Sequence, residues 1–209
     1  MGLTIIEHDW NWAGALQKRA ATDAIVLHHA AAATASATDI DRIHKANGWS
    51  GIGYHYYVRK NGEIHRGRPE WAAGAHVLNH NGHTIGVCAE GNYEIETDMP
   101  TVQLHALRAL AADLRARYPA AEIRRHSDYM ATACPGKYYP FDEIAKYEED
   151  ETMTRYNTVA EMPEYYRAEA QRLIDAGALQ GRGDGRLDLS EDMLRTLIIM
   201  QRLLEQASE

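Results

Sequence analysis

Ala24-Ile25-Val26-Leu27-His28-His29 is the stretch from which the fold is read. Its apolar run is too short for a helix, is rich in β-branched residues and suits a buried strand. The run closes on histidine, so an imidazole stands at a strand end. Far downstream, His126-Ser127-Asp128-Tyr129-Met130-Ala131-Thr132-Ala133-Cys134-Pro135 carries another imidazole and a thiol, bounded by Pro135-Gly136. Two imidazoles and a thiolate form a zinc set, because neutral nitrogen and soft sulfur both suit that ion. Three protein ligands leave one position open for water, which is the arrangement of a catalytic site. Residue type alone does not choose between His28 and His29.

Outward from the first stretch, Ala30–Ala37 is a loop of small residues. Thr38 is expected to cap a short helix, with Asp39 and Asp41 in its first turn, Gly48 as terminator and Ile40, Ile43 and Asn47 on one face. Tyr54–Lys60 has strand propensity, Asn61-Gly62 is a hairpin signal and Glu63–Arg66 is the return strand. Residues 67–83 form a long loop holding Trp71, His76, His80 and His83, and long loops in compact domains are often functional. Thr84–Glu90 is the next strand. Ile85, Val87 and Ala89 share its apolar face, and Gly86, Cys88 and Glu90 share the other. Thr101–Tyr118 is the clearest helix, with Leu104, Leu107, Ala111 and Leu114 in the 3.6 period. Glu122-Ile123-Arg124 is a short strand that delivers His126, and a last helix begins near Pro140-Phe141. Residues 1–23 show no period. Trp10, Trp12 and Leu16 are assigned to an edge of the core. Alternating strands and helices predict an α/β fold, a central mixed β-sheet flanked by helices, plus a small helical C-terminal domain.

Glu148-Glu149-Asp150-Glu151 marks a linker, so the expected domains are 1–150 and 151–209. In the tail, Pro163–Ala176 carries a stripe of Tyr166, Ala170, Leu173 and Ile174, stopped by Gly177. Ser190 caps a further helix with Leu194, Leu197, Ile198, Gln201 and Leu204 on one face. Gly181-Arg182-Gly183-Asp184-Gly185 is read as a linker turn. No strand precedes it and Asp184 sits in it, unlike a phosphate-binding loop. Two helices bury little surface alone, so the tail is expected to dock on something.

The chain of 209 residues has a net charge of −8, which argues against a general nucleic-acid binder. No apolar run is long enough to span a bilayer, so no membrane partner is expected. The N-terminus lacks the basic start and apolar core of a signal peptide, which predicts synthesis and retention in the cytoplasm. In a reducing compartment the two cysteines, Cys88 and Cys134, are not expected to pair, and Cys88 reads as a buried thiol.

A resemblance sharpens these readings. Val26-Leu27-His28-His29-Ala30, Gly51-Ile52-Gly53-Tyr54-His55-Tyr56, Asn61-Gly62, Gly67-Arg68, Gly74-Ala75-His76, Asn81, Ile85-Gly86-Val87 and His126–Pro135 occur in this order. Over roughly residues 20–145 the chain resembles the zinc-dependent N-acetylmuramoyl-L-alanine amidase type 2 family, which includes phage lysozyme-type amidases and peptidoglycan recognition proteins. The resemblance implies zinc ligands at His28, His126 and Cys134. It implies Tyr54 and Thr132 as the catalytic donors that polarise the scissile carbonyl, although residue by residue their bland readings are sheet packing and loop capping. It also implies His76 along the substrate groove, with Trp71 and Asn81 beside it as substrate-binding residues. Several relatives carry a catalytic Glu where this chain has Cys88. Glu90, two residues on and on the same face, is the substitute considered. His29 and His55 are read as packed histidines, and His44, His65, His80, His83 and His105 as ordinary surface or packing residues.

Over about residues 154–205 the tail resembles a C-terminal module of Gram-positive phage endolysins. That implies either cell-wall binding or a homodimer through the C-terminal helices. The function implied is an endolysin: hydrolysis of the amide between N-acetylmuramic acid and L-alanine in peptidoglycan, with zinc as cofactor. Release from the cytoplasm would then follow a holin-type lesion. The alternative is a non-catalytic peptidoglycan-binding module.

Overall fold

A computed structural model describes residues 3–146, 155–180, 186–187, 189–190, 193–194 and 196–198. By internal contacts the chain divides into two compact units, Met1–Glu149 and Asp150–Glu209.

The first unit is built on a six-stranded mixed sheet. Its strands are β1 (Ile5–Ile6), β2 (Ala24–His29), β3 (Tyr56–Val58), β4 (Ile64–Arg66), β5 (Thr84–Ala89) and β6 (Glu122–Arg125). The spatial order is β1-β4-β3-β5-β2-β6. Only the β3–β4 hairpin is antiparallel; β2 lies parallel between β5 and β6. All six residues of β2 are buried, as a central parallel strand requires. Helices α1 (Ala37–Ala46), α2 (Thr101–Arg117) and α3 (Phe141–Ala145) complete the unit.

The two faces of β2 bury different partners. Ile25 and Leu27 pack with Ile85 and Val87 against Leu107, Leu110 and Leu114 of α2 and Ile144 of α3. Ala24 and Val26 point the other way, toward Val77. On that side Cys88 and Tyr57 pack with Ile52 and with Ala37 and Ile40 of α1. The period of two puts His28 on the α1 side and His29 on the α2 side. His29 Nδ1 accepts the Tyr93 backbone N–H at 3.0 Å, a packed role as expected.

Several local expectations need correction. Helix α1 is capped by Ser36, not Thr38. Ser36 Oγ accepts the Asp39 N–H at 3.1 Å and the Asp39 carboxylate accepts the Ser36 N–H at 3.0 Å. That reciprocal box needs an acid three residues after the cap; Asp41, three after Thr38, is instead taken up by the Ile52 N–H, which it accepts at 2.9 Å. Ile40 and Ile43, expected on one face of this helix, differ in burial: Ile40 is buried and Ile43 is 46% exposed. Strand β3 begins at Tyr56, so Tyr54 sits before it and not at its head. The N-terminal segment supplies β1, which pairs with β4 through Ile5 and Ile64. Two residues carry no readable period, so only the partner reveals this strand. Trp10 and Trp12 do cover the α1-side cluster.

The second unit has its own core of Tyr156, Met162, Tyr166, Ala170, Leu189, Leu194 and Ile198. It contains β7 (Arg155–Tyr156), α4 (Glu164–Asp175) and β8 (Leu189–Ser190), with β7 and β8 antiparallel. The purely helical expectation missed this small sheet. Ser190 Oγ accepts the Met193 N–H at 3.2 Å, the cap read from sequence. The linker Glu148–Glu151, the Gly181–Gly185 turn, Gln201 and Leu204 lie outside the described residues.

Candidate metal centre

His28 ends β2, and His126 opens a short turn directly after β6. Because Leu27 pairs with Arg125 in the parallel ladder, the next residue on each strand brings the two imidazoles together. Their ring centroids lie 4.6 Å apart. Cys134 returns to them through a tight loop. Ser127 N–H donates to Cys134 O at 3.0 Å, and Cys134 N–H donates to Thr132 Oγ1 at 3.2 Å. His28 Nδ1 is 3.6 Å from Cys134 Sγ. One nitrogen of each histidine and the sulfur all lie within 4.8 Å of one another, the one such cluster among the described residues.

The protonation of these groups follows from burial. Desolvation, then the neighbouring His126 and His29, push His28 well below the ordinary histidine value. Desolvation lowers His126 as well. Burial pushes the Cys134 thiol up to about 11, against a hydrogen bond involving His29. At neutral pH the centre therefore presents two neutral imidazoles and a protonated thiol. The imidazoles have lone pairs ready, and the thiol gives up its proton to a cation. This nitrogen–sulfur donor set fits a zinc ion.

Tyr54 packs beside the centre, its ring 5.2 Å from His28. Desolvation, then Cys88 and Cys134, raise its phenol well above the usual range, so it remains a proton donor. Behind it, His44 Nδ1 accepts the Gly53 N–H at 2.9 Å, and the Trp49 ring lies 4.5 Å from His44. Of the surface or packing roles expected for His44, this is the packing one. Its place one turn after the buried Ile40 on α1 turns it inward.

The family model described as N-acetylmuramoyl-L-alanine amidase matches residues 18–137. The chain belongs to this amidase family. It is 32% identical over 145 residues to an endolysin of Escherichia phage T7, covering 66% of this chain and 93% of that protein. A peptidoglycan-recognition protein SC2 of Drosophila melanogaster is 28% identical over 152 residues, covering 65% of this chain and 82% of its own length. Among solved structures, the N-acetylmuramoyl-L-alanine amidase LysC from Clostridium intestinale URNW is 40% identical, with a TM-score of 0.66. That match covers 68% of this chain and 95% of LysC.

Four other residues that the amidase resemblance singled out are placed as follows. Glu90 is 2% exposed and fully engaged. Its carboxylate accepts from Arg59 Nε at 2.7 Å and from the backbone N–H groups of Ala35 and Lys60, each at 2.9 Å. Burial alone would raise its carboxyl, but these partners outweigh it and lower it, so Glu90 makes a weak base. His76 lies buried beside His28, its Nδ1 3.0 Å from His28 Nε2. Asn81 is a loop clamp whose Oδ1 accepts the N–H groups of His76 and Val77. Trp71 is 56% exposed and lines a separate cleft with Arg19, Glu70, Arg117 and Tyr118. Sequence order cannot show these placements: those of Trp71, His76 and Asn81 depend on how the loop 67–83 folds back on the sheet, and that of Glu90 on Arg59, Lys60 and Ala35 reaching its carboxylate. Thr132 does stand beside Cys134, and its hydroxyl oxygen caps the loop.

Proposed function

We propose that this amidase is a zinc-dependent endolysin that hydrolyses the amide between N-acetylmuramic acid and L-alanine in peptidoglycan. The observation that carries the reading is the convergence of His28, His126 and Cys134 within 4.8 Å at one end of the central sheet. A zinc ion held there supplies a Lewis acid for the amide carbonyl and lowers the pKa of a water toward neutrality. The rest of the chemistry belongs to the chain. Tyr54 keeps its proton and donates it as a hydrogen bond to the carbonyl oxygen as negative charge develops. Thr132, fixed next to Cys134 by its own loop, is the second donor. Burial of His28 and Tyr54 strengthens these interactions by excluding competing water. Residues 1–150 form the catalytic domain, and residues 151–209 bind the wall or join two copies through their helices. Among the described residues, no helix is long and apolar enough to cross a membrane. The enzyme reaches the wall after release from the cytoplasm through a holin-type lesion.

The test uses the full chain, stripped of metal and reloaded with zinc, on purified peptidoglycan. Release of stem peptides with a new N-terminal alanine, restored by zinc, supports the proposal. Wall binding without release would establish the binding-module alternative. Deleting residues 151–209 and measuring sedimentation with cell walls separates targeting from dimerisation.

A further inference from the structure

His76 is a fully buried imidazole that the mechanism above leaves without a task. Gly74 and Gly86 clamp its ring. A Cβ added at Gly74 would lie 2.3 Å from His76 Cδ2, and one at Gly86 would lie 2.6 Å from Cγ. Only glycine at both positions lets the ring occupy this slot. The slot aligns His76 with two partners. Nδ1 is 3.0 Å from His28 Nε2, and Nε2 is 3.4 Å from Thr84 Oγ1. Thr84 Oγ1 in turn donates to the His80 carbonyl at 2.8 Å.

The direction of this chain of hydrogen bonds is fixed from its far end. A carbonyl only accepts, so the Thr84 hydroxyl proton belongs to His80 O. Thr84 Oγ1 then presents a lone pair to His76, and His76 carries its proton on Nε2. That leaves His76 Nδ1 as an acceptor, so His28 donates from Nε2 and its Nδ1 is bare. The bare nitrogen is the one that faces Cys134 Sγ at 3.6 Å. In the opposite direction, a proton on His28 Nδ1 would block the ligand position.

We infer that the relay His28–His76–Thr84–His80 carbonyl presets the ligand tautomer of His28, with His76 as its positioning residue. This rests on the reading of His28 as a metal ligand, but the relay itself is fixed without metal. Ligand histidines commonly give their second N–H to a carboxylate, carbonyl or water. Here a neutral imidazole takes that role, which adds no negative charge to the centre. Removing such a partner lowers metal affinity by about 10–100-fold.

The test is nitrogen-15 NMR of histidine-labelled full chain, with and without zinc, together with zinc competition against a chelator. The expected result is the Nε2–H tautomer for both His28 and His76 before zinc is added. His76→Leu removes the acceptor and should weaken zinc binding by about 10–100-fold. His76→Asn places an amide oxygen near the lost Nδ1 and should restore most of that affinity. Thr84→Val, two hydrogen bonds away, should mix the His76 tautomers while the fold persists. A His76 proton found on Nδ1 in the wild type overturns the inference. So does wild-type zinc affinity in a folded His76→Leu chain. If the wild type binds no zinc yet shows both Nε2–H tautomers, the relay stands and the metal reading falls.

Discussion

Two polar clusters, one at the end of β2 and one half-buried around Glu70 in the loop after β4, have been treated in opposite ways. At the end of β2, His28, His76, His126, Cys134 and Tyr54 are all driven toward their neutral forms, burial being the largest cause for each. Around Glu70 the charge is kept. Burial would raise the Glu70 carboxyl, but hydrogen bonds from Arg117, Tyr118 and Tyr56 and the Arg117 charge outweigh it and hold it at about 2. Arg117 Nη1 donates to the two carboxylate oxygens at 2.8 and 2.7 Å, and the Tyr118 hydroxyl donates to one of them at 2.5 Å. The difference teaches how to tell a site from a staple. The Glu70 cluster has filled its own valences, whereas the histidine cluster has lone pairs and a thiol that a cation can claim. A charged group is therefore not the better functional candidate when its partners already saturate it.

The largest break of that contrast is Cys134→Ala. It removes the sulfur donor, and metal content measured on the purified chain should fall with amidase activity to background. Retention of full zinc and activity would reject the centre. Next, Tyr54→Phe should keep the metal and lower kcat by about 10²–10³, the usual effect of losing one donor to a developing oxyanion. An unchanged kcat removes Tyr54 from the mechanism.

The Glu70 side should respond in stability and not in turnover. Glu70→Gln is expected to cost about 2 kcal/mol by denaturant melts, below the value for a fully buried pair because its side chain is 18% exposed. Activity per folded molecule should stay constant. The pH dependence has a definite sign. The folded carboxyl lies at about 2, below its ordinary 4.5, so its contribution is complete above 4.5 and is lost as pH falls toward 2. Wild-type stability should drop through that window more steeply than Glu70→Gln. Smallest of all, Trp71→Ala at the cleft beside Glu70 should shift stability by less than about 0.5 kcal/mol and leave hydrolysis unchanged. A marked loss of peptidoglycan turnover would return Trp71 to the substrate groove.

Much of this molecule is written locally. The β-branched run before His28 sets a central strand, the 3.6 period of Leu107, Ala111 and Leu114 sets α2, and Asn61-Gly62 sets the β3–β4 hairpin. The grouping of His126, Thr132 and Cys134 was legible because one short loop holds all three. Tertiary structure alone decided the rest. Cys134 meets His28 across 106 residues of chain, and His76 meets it across 48. Parallel register and the crossing of the 67–83 loop set those meetings, and neither leaves a period in the sequence. The same holds for Glu90. Strand alternation placed it on the face of Cys88, but only the folded chain brought Arg59, Lys60 and Ala35 to its carboxylate. Sequence thus determined which side chains have suitable chemistry. Burial and long-range hydrogen bonding determined which of them remain free to use it.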